Sequence, residues 1–310
     1  MTKTKIFLLV SSVVIVALAV TLTRQDPYAL VDLVETKNDD ESQAFIAFAT
    51  TTAKQSGGRL VVANKVILPM VIPDQRSAAA DAATRLLVIT QYPTIEGSRL
   101  ALAERHDRNQ QHNQGLRTYA AQTVGGIQSL LVKILPFTLS LWREEAVPLS
   151  QETIKVKALI SEAHILQGAT DHGVYNPAWG KIISQRGNQP VWMLNFLEFK
   201  GQADYGADPH QVAPAEPITG QAAYTLYGQG MIGTLAAIDG RVGWSSTATP
   251  ALADADDGEW HQIVIAVYPS ITAMMTMLAH PEYKAAHVHR PAGLARTRLM
   301  VTFPIESNNN

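Results

Sequence analysis

The feature that most constrains this chain is an internal repeat. Ala29–Lys37 reads ALVDLVETK and Trp192–Lys200 reads WMLNFLEFK, two short apolar runs that both end in Glu-x-Lys, and each predicts a buried strand. The same order of signals follows both times. Phe45, Phe48, Ala49 and Thr52 recur at helical spacing in the first half, as Tyr224, Tyr227, Met231 and Leu235 do in the second. Those helices stop at Gly57-Gly58-Arg59 and Asp239-Gly240-Arg241, and a strand follows each. LLVITQYPT, Leu86 to Thr94, then matches IVIAVYPS, Ile263 to Ser270: a strand broken by a Tyr-Pro pair, ahead of a hydroxyl that can cap a helix. TYAAQTVGG from Thr118 and TRLMVTFP from Thr297 supply a fourth strand.

Each half therefore reads β-α-β-β-α-β, the split β-α-β or ferredoxin-like unit, and the fold class is α+β. Four antiparallel strands carry both helices on one face, so the other face needs a cover. In Val191–Leu197 both faces are apolar, Trp192, Leu194 and Phe196 alternating with Val191, Met193 and Leu197, as a sheet buried on both sides requires. The natural cover is the other repeat. The expectation is an intramolecular pseudo-dimer packed sheet to sheet, resembling the dimeric α/β barrel that two separate chains form. The first repeat takes residues 27–140, a helical linker 141–189 and the second repeat 190–310. Within the linker, Gln151–Leu166 reads as a helix, and the loop after it carries Asp171-His172 beside Tyr175 and Trp179, read mainly as packing.

Residues 1–26 read as an export segment. Lys3 and Lys5 precede an apolar or small-residue run from Ile6 to Leu22, closed by Arg24, Asp26 and Pro27. An uncleaved, single-pass anchor in the cytoplasmic membrane, with the bulk of the chain outside the cytoplasm, is the favoured reading. Ala17-Leu18-Ala19 keeps signal cleavage open, with a secreted or periplasmic product. The absence of cysteine excludes disulfides, thiolate nucleophiles and zinc–thiolate or iron–sulfur sites. A formal charge of -2 gives no electrostatic reason to expect nucleic acid.

The run MLNFLEFK, then Tyr205, then Asp239-Gly240-Arg241, then VYPSITAMMTMLAHPEYKAAHVHR resembles the domain of unknown function 1330 family. The resemblance covers nearly all of Pro190 to Pro304, while Tyr28 to Gly126 follows it in outline only. It implies a ferredoxin-like fold of the dimeric α/β-barrel type, architecturally related to small monooxygenases, dye-decolourising peroxidases and stress-responsive barrel proteins. It implies no reaction, because this architecture hosts many chemistries.

Most of VYPSITAMMTMLAHPEYKAAHVHR reads as scaffold. Ser270 caps a helix; Ile271, Met274, Met275 and Leu278 form its buried stripe; Pro281 ends it. His287 and His289 share a face only if extended, with no third ligand nearby, so no metal site is expected. The acidic loop Asp254–Glu259 lacks the ligand spacing of a calcium loop and reads as solvated. The polar residues that remain are Asn195, Arg241, Tyr268, His289 and Arg290, which the pattern sends towards the covered side of the sheet. They are the candidate ligand-binding set, with Arg241 and Arg290 holding a carboxylate or enolate and Tyr268 or His289 as candidate proton donor. In the first repeat Asp32, Arg59 and Tyr92 stand at the positions of Asn195, Arg241 and Tyr268, but Asn113 and Gln114 replace His289 and Arg290. Function is therefore expected in the second repeat.

Three classes follow: a module binding a small acidic or aromatic molecule; a cofactor-independent enzyme, monooxygenase- or isomerase-like, on a small carbonyl or phenolic compound; or a structural protein with a vestigial pocket. No cofactor is expected. Haem, with His289 as axial ligand, is the alternative.

Overall fold

The computed structural model describes residues 27–70, 83–112, 115–123, 185–206, 213–248 and 260–305. The export segment, most of the linker with Asp171-His172, the acidic loop at 254–259, and Asn113 and Gln114 lie outside the described residues.

The first repeat is β1 (Tyr28–Val34), α1 (Asp39–Gln55), β2 (Arg59–Met70), β3 (Leu86–Tyr92), α2 (Ile95–His112) and β4 (Leu116–Thr123). The second is β5 (Val191–Phe199), α3 (Gly220–Ala237), β6 (Arg241–Ala248), β7 (Gln262–Tyr268), then α4 (Ile271–Ala279), α5 (Pro281–His287), α6 (His289–Gly293) and β8 (Leu294–Pro304). Polar side chains start the helices: Ser270, as its place after Tyr-Pro indicates, and also Asn38 and Thr219, accept from the backbone N–H groups of Ala273, Glu41 and Ala222. The turns that end α1 and α3 need left-handed backbone, supplied by Gly57 at φ 74 and Asp239 at φ 58.

The strands close into one barrel in the order β1-β3-β2-β8-β5-β7-β6-β4. Each repeat contributes the ferredoxin-like order, β4-β1-β3-β2 and β8-β5-β7-β6. The two sheets also pair edge to edge, β2 with β8 from Asn64↔Pro304 to Met70↔Leu299, and β4 with β6 from Ala121↔Ala248 to Thr123↔Ser246. The expected sheet-to-sheet packing thus takes the form of a closed barrel. Facing sheets alone leave four edges of unpaired N–H and C=O groups; closure removes all four.

Alternation sorts the core into layers. Val31, Leu33, Leu194, Phe196, Ile263, Ile265 and Met300 fill the barrel interior with contributions from both repeats. On the outer face of the second sheet, Val191, Met193, Tyr268, Leu299, Val301 and Phe303 pack under α3 to α5 with Tyr227, Ile271, Met274, Met275 and Leu278. Helix α4 stops at His280, whose side chain caps α5 by accepting from Glu282 N at 3.3 Å. One long helix is therefore replaced by three short ones. His287 ends α5 and His289 begins α6, so the extended geometry that would align them is absent.

Candidate functional site

The helix-facing layer of the first repeat is closed by an internal ion pair. Asp32, in the middle of β1, and Arg105 of α2 are 0% and 1% exposed. Arg105 Nε donates to both Asp32 oxygens at 2.9 and 2.8 Å, Nη2 to Thr90 Oγ1 at 3.0 Å and Nη1 to Ala101 O at 3.1 Å. Thr118 Oγ1 donates to Asp32 at 2.7 Å. Burial by itself lowers the Arg105 guanidinium, but Asp32 and Tyr92 outweigh it and hold it above its usual value. A buried charge pair tolerates such a site when its remaining hydrogen-bonding capacity is also met.

The same layer of the second repeat is built differently. Asn195 occupies the position of Asp32, and among the described residues its Nδ2 donates only to Met193 O of its own strand, at 3.0 Å. The cation enters on α6 instead of the long helix. Arg290 Nη2 donates to Thr297 Oγ1 at 3.3 Å, and among the described residues no carboxylate pairs with it. Around it stand four phenols. Tyr227 and Tyr283 meet hydroxyl to hydroxyl at 3.5 Å. Tyr224 lies beside Tyr227 with the rings tilted at 53° and 5.3 Å between centroids, and Tyr268 ends β7 on the same face. Burial pushes all four phenols up, Tyr283 to about 12, while the Arg290 charge pulls each of them down. At neutral pH they are uncharged phenols within electrostatic reach of a guanidinium, a set that suits an anionic or enolic oxygen.

Close backbone packing places Arg290. Helices α3 and α6 touch where Gly220 and Gly293 meet: a Cβ on Gly293 would lie 2.4 Å from Gly220 O, and one on Gly220 would lie 2.4 Å from Gly293 O. The segment after β5 is tied to α6 by Lys200 N donating to Gly293 O and Asp204 N to Ala292 O, both at 2.9 Å. That seam brings Tyr205 to His289, with Oη and Nδ1 2.8 Å apart.

Of the five sequence candidates, Tyr268 and Arg290 come together in this layer, and Asn195 lies on the same face of the sheet. His289 sits at its rim with Tyr205. Arg241 is exposed and pairs in register with Val267, which faces the barrel interior, so it stands on the side that the other repeat covers, opposite Tyr268 and apart from the rest of the set. The correction concerns the others: Asn195 and Tyr268 lie on the helix-facing side, with His289 and Arg290 on the helices above it, and not on the side that the other repeat covers. Sequence reasoning missed Tyr224, Tyr227 and Tyr283, read as helical spacing or turn, and Arg105. The signal for Arg105 was Asp32 itself, a carboxylate inside an apolar strand that needs a buried partner. Among the described residues no group of three or more His, Asp or Glu gathers to hold a metal ion.

No family model matches the sequence, and no curated protein matches it. Among solved structures, a protein of unknown function from Rhodopseudomonas palustris is 26% identical over 42% of this chain and 92% of that chain, with a TM-score of 0.35. A putative monooxygenase from Lactobacillus acidophilus is 11% identical over 90% and 94%, TM-score 0.41. A chlorite dismutase from Candidatus Nitrospira defluvii is 10% identical over 92% and 94%, TM-score 0.42. Overlaps of that size carry no argument, and the fold assignment rests on the strand pairing above.

Proposed function

We propose that this protein binds a small acidic or phenolic molecule in the helix-facing layer of its second repeat, with Arg290 as the charge and Tyr224, Tyr227, Tyr268 and Tyr283 as neutral donors. The observation that carries the reading is the contrast between repeats. The first repeat neutralises its buried arginine with Asp32; the second has asparagine there and gathers uncharged phenols near a guanidinium that pairs with no carboxylate among the described residues. The resemblance to the domain of unknown function 1330 family over Pro190 to Pro304 belongs to the same proposal, as does attachment to the cytoplasmic membrane through residues 1–26 with the barrel outside the cytoplasm. Among the described residues no helix is long and apolar enough to cross a membrane, so attachment rests on the N-terminal sequence alone. Retention of the full-length chain on carbonate-washed membranes supports it; a soluble product beginning at Val20 replaces it with a cleaved signal.

The test of binding is a thermal-shift and calorimetric screen of benzoate, 4-hydroxybenzoate, simple phenols and short carboxylates, since a ligand that binds only the folded state raises the melting temperature. Arg290→Lys keeps the charge and loses the planar fork, so it weakens binding about tenfold or more with little change in stability. Unchanged affinity in that variant assigns Arg290 to the scaffold and ends the proposal.

The Tyr205–His289 hydrogen bond favours a second reading as a cofactor-independent enzyme: it orients the His289 imidazole as the proton donor or acceptor for a bound enol or phenol. Turnover lost in His289→Gln with binding retained distinguishes it. His289 as a haem ligand is the remaining alternative; full-length protein that stays colourless after haem addition removes it.

A further inference from the structure

The helix-facing side of the second sheet is open at a place where the first is closed. In the first repeat Asp32 pairs with Val88, and Leu116 pairs with Val34, the next residue on that face; Asp32, Val88 and Leu116 are all buried. Register puts Asn195, Val264 and Thr297 at the same three positions, through the pairs Asn195↔Val264 and Leu197↔Thr297, and all three are partly exposed. Strand β5 is paired along both edges at Asn195, and its neighbours Leu194 and Phe196 fill the barrel interior, so solvent reaches Asn195 from the helix side.

The cover is lost where the long helix stops. Helix α2 runs to His112, and Asn109 holds both main-chain groups of Leu116, Nδ2 donating to its O at 3.4 Å and Oδ1 accepting from its N at 3.3 Å. Helix α4 ends at Ala279. Counted from Tyr92 and Tyr268, Pro281 falls at the position of Arg105, where a proline cannot continue a helix. The result is a recess with Asn195, Val264 and Thr297 as its floor. Arg290 enters it from α6. Its hydrogen bond to Thr297 sets the guanidinium above a diagonal neighbour of Asn195, about 7–8 Å away across the strands. Arg290 is itself partly exposed, whereas Tyr227, Tyr268 and Tyr283 are buried, so the sheet offers its open approach to the guanidinium over Asn195 and Thr297.

The closed repeat contains the occupant that such a place takes. There the Asp32 carboxylate accepts from Arg105 Nε on both oxygens and from Thr118 Oγ1. Asparagine keeps the shape of aspartate and gives up its charge, which leaves the Arg290 guanidinium and the Thr297 hydroxyl one carboxylate short. One guanidinium balances one negative charge, and Val264 gives the floor an apolar part. We propose that the recess takes the carboxylate of a small monocarboxylic acid with an apolar body, held by Arg290 and Thr297, and that Asn195 is the specificity-determining residue that keeps the place free. This rests on the reading of the second repeat as a binding site and narrows its ligand from acid or phenol to carboxylate.

The test is isothermal titration of the full-length chain with benzoate, with benzamide, its uncharged counterpart, and with phenol. Benzoate binds, and the other two bind about tenfold or more weakly, the scale of one charge-assisted hydrogen-bonded pair. Asn195→Asp puts a carboxylate of the chain beside Arg290; it weakens benzoate about tenfold or more while its melting temperature is no lower than the parent's. Benzamide or phenol binding as tightly as benzoate overturns the inference, as does a folded Asn195→Asp protein that binds benzoate like the parent. In either case a loss of binding in Arg290→Lys leaves the broader reading standing. A parent chain that binds none of the three, nor any other acid or phenol, ends both. If Asn195→Asp does not fold, the three compounds on the parent chain decide.

Discussion

At the scale of residues, one substitution between the repeats, Asp32 to Asn195, changes what the layer around it can do. Asp32 and Arg105 make a closed pair. Removing one partner by Asp32→Asn strands a buried guanidinium and costs about 3–5 kcal/mol, whereas replacing both by apolar residues of similar volume is close to neutral. Chemical denaturation of the single and double variants reads the difference; additive losses contradict a coupled pair. The phenols of the second repeat give a pH signature. Their folded values lie above the usual tyrosine value, so below pH about 10 both states hold the proton and stability is unaffected. As pH rises from about 10 towards 12, the unfolded chain loses phenolic protons first and stability falls. Phenolate absorbance should therefore rise in step with loss of near-ultraviolet dichroism; ionisation of all tyrosines near pH 10 in a still-folded protein contradicts their burial. Asn195, Tyr268 and Arg290 were legible in the sequence because polar residues inside apolar runs stand out. Arg105 was not, because it lies in a helix already rich in charged and amide side chains. The face taken by Asn195 and Tyr268 was not legible, because alternation in strands apolar on both sides does not say which side takes the helices, and Arg241 parts from them through its register opposite Val267.

At the scale of elements, the Tyr-Pro-hydroxyl signal was sufficient to end β3 and β7 and to begin the helices that follow. The methionine stripe of α4 is core, as its spacing indicates. Ile271 is 0% exposed between α4 and the sheet, and Ile271→Ala should cost about 2–5 kcal/mol through the cavity it leaves. A loss well under 1 kcal/mol in a denaturant melt contradicts that packing. Three short helices where one was expected have a local cause and a distant consequence. Pro281 cannot continue α4, and the turn of chain gained after it carries His289 and Arg290 to the seam between α3 and the segment after β5. That seam depends on Gly220 and Gly293, whose close approach cannot be read from either segment alone.

At the scale of the whole molecule, the repeat was legible because each unit carries the same strand and turn signals, but barrel closure was not, since edge pairing leaves no imprint on alternation. Closure makes each repeat dependent on the other for the interior face and for both edges. A Pro190–Asn310 fragment should therefore dimerise or aggregate, with β6 and β8 open, and a monomeric, cooperatively folding fragment contradicts the interdigitated barrel. The two repeats are alike in path and unlike in chemistry, and the central claim is that only the second binds a ligand. Isothermal titration of the full-length chain with the tightest ligand of the acid and phenol screen measures this most directly. The expected result is one molecule bound per chain, with binding weakened about tenfold or more by Arg290→Lys. Two molecules per chain, or an isotherm that Arg290→Lys leaves unchanged, contradicts the account.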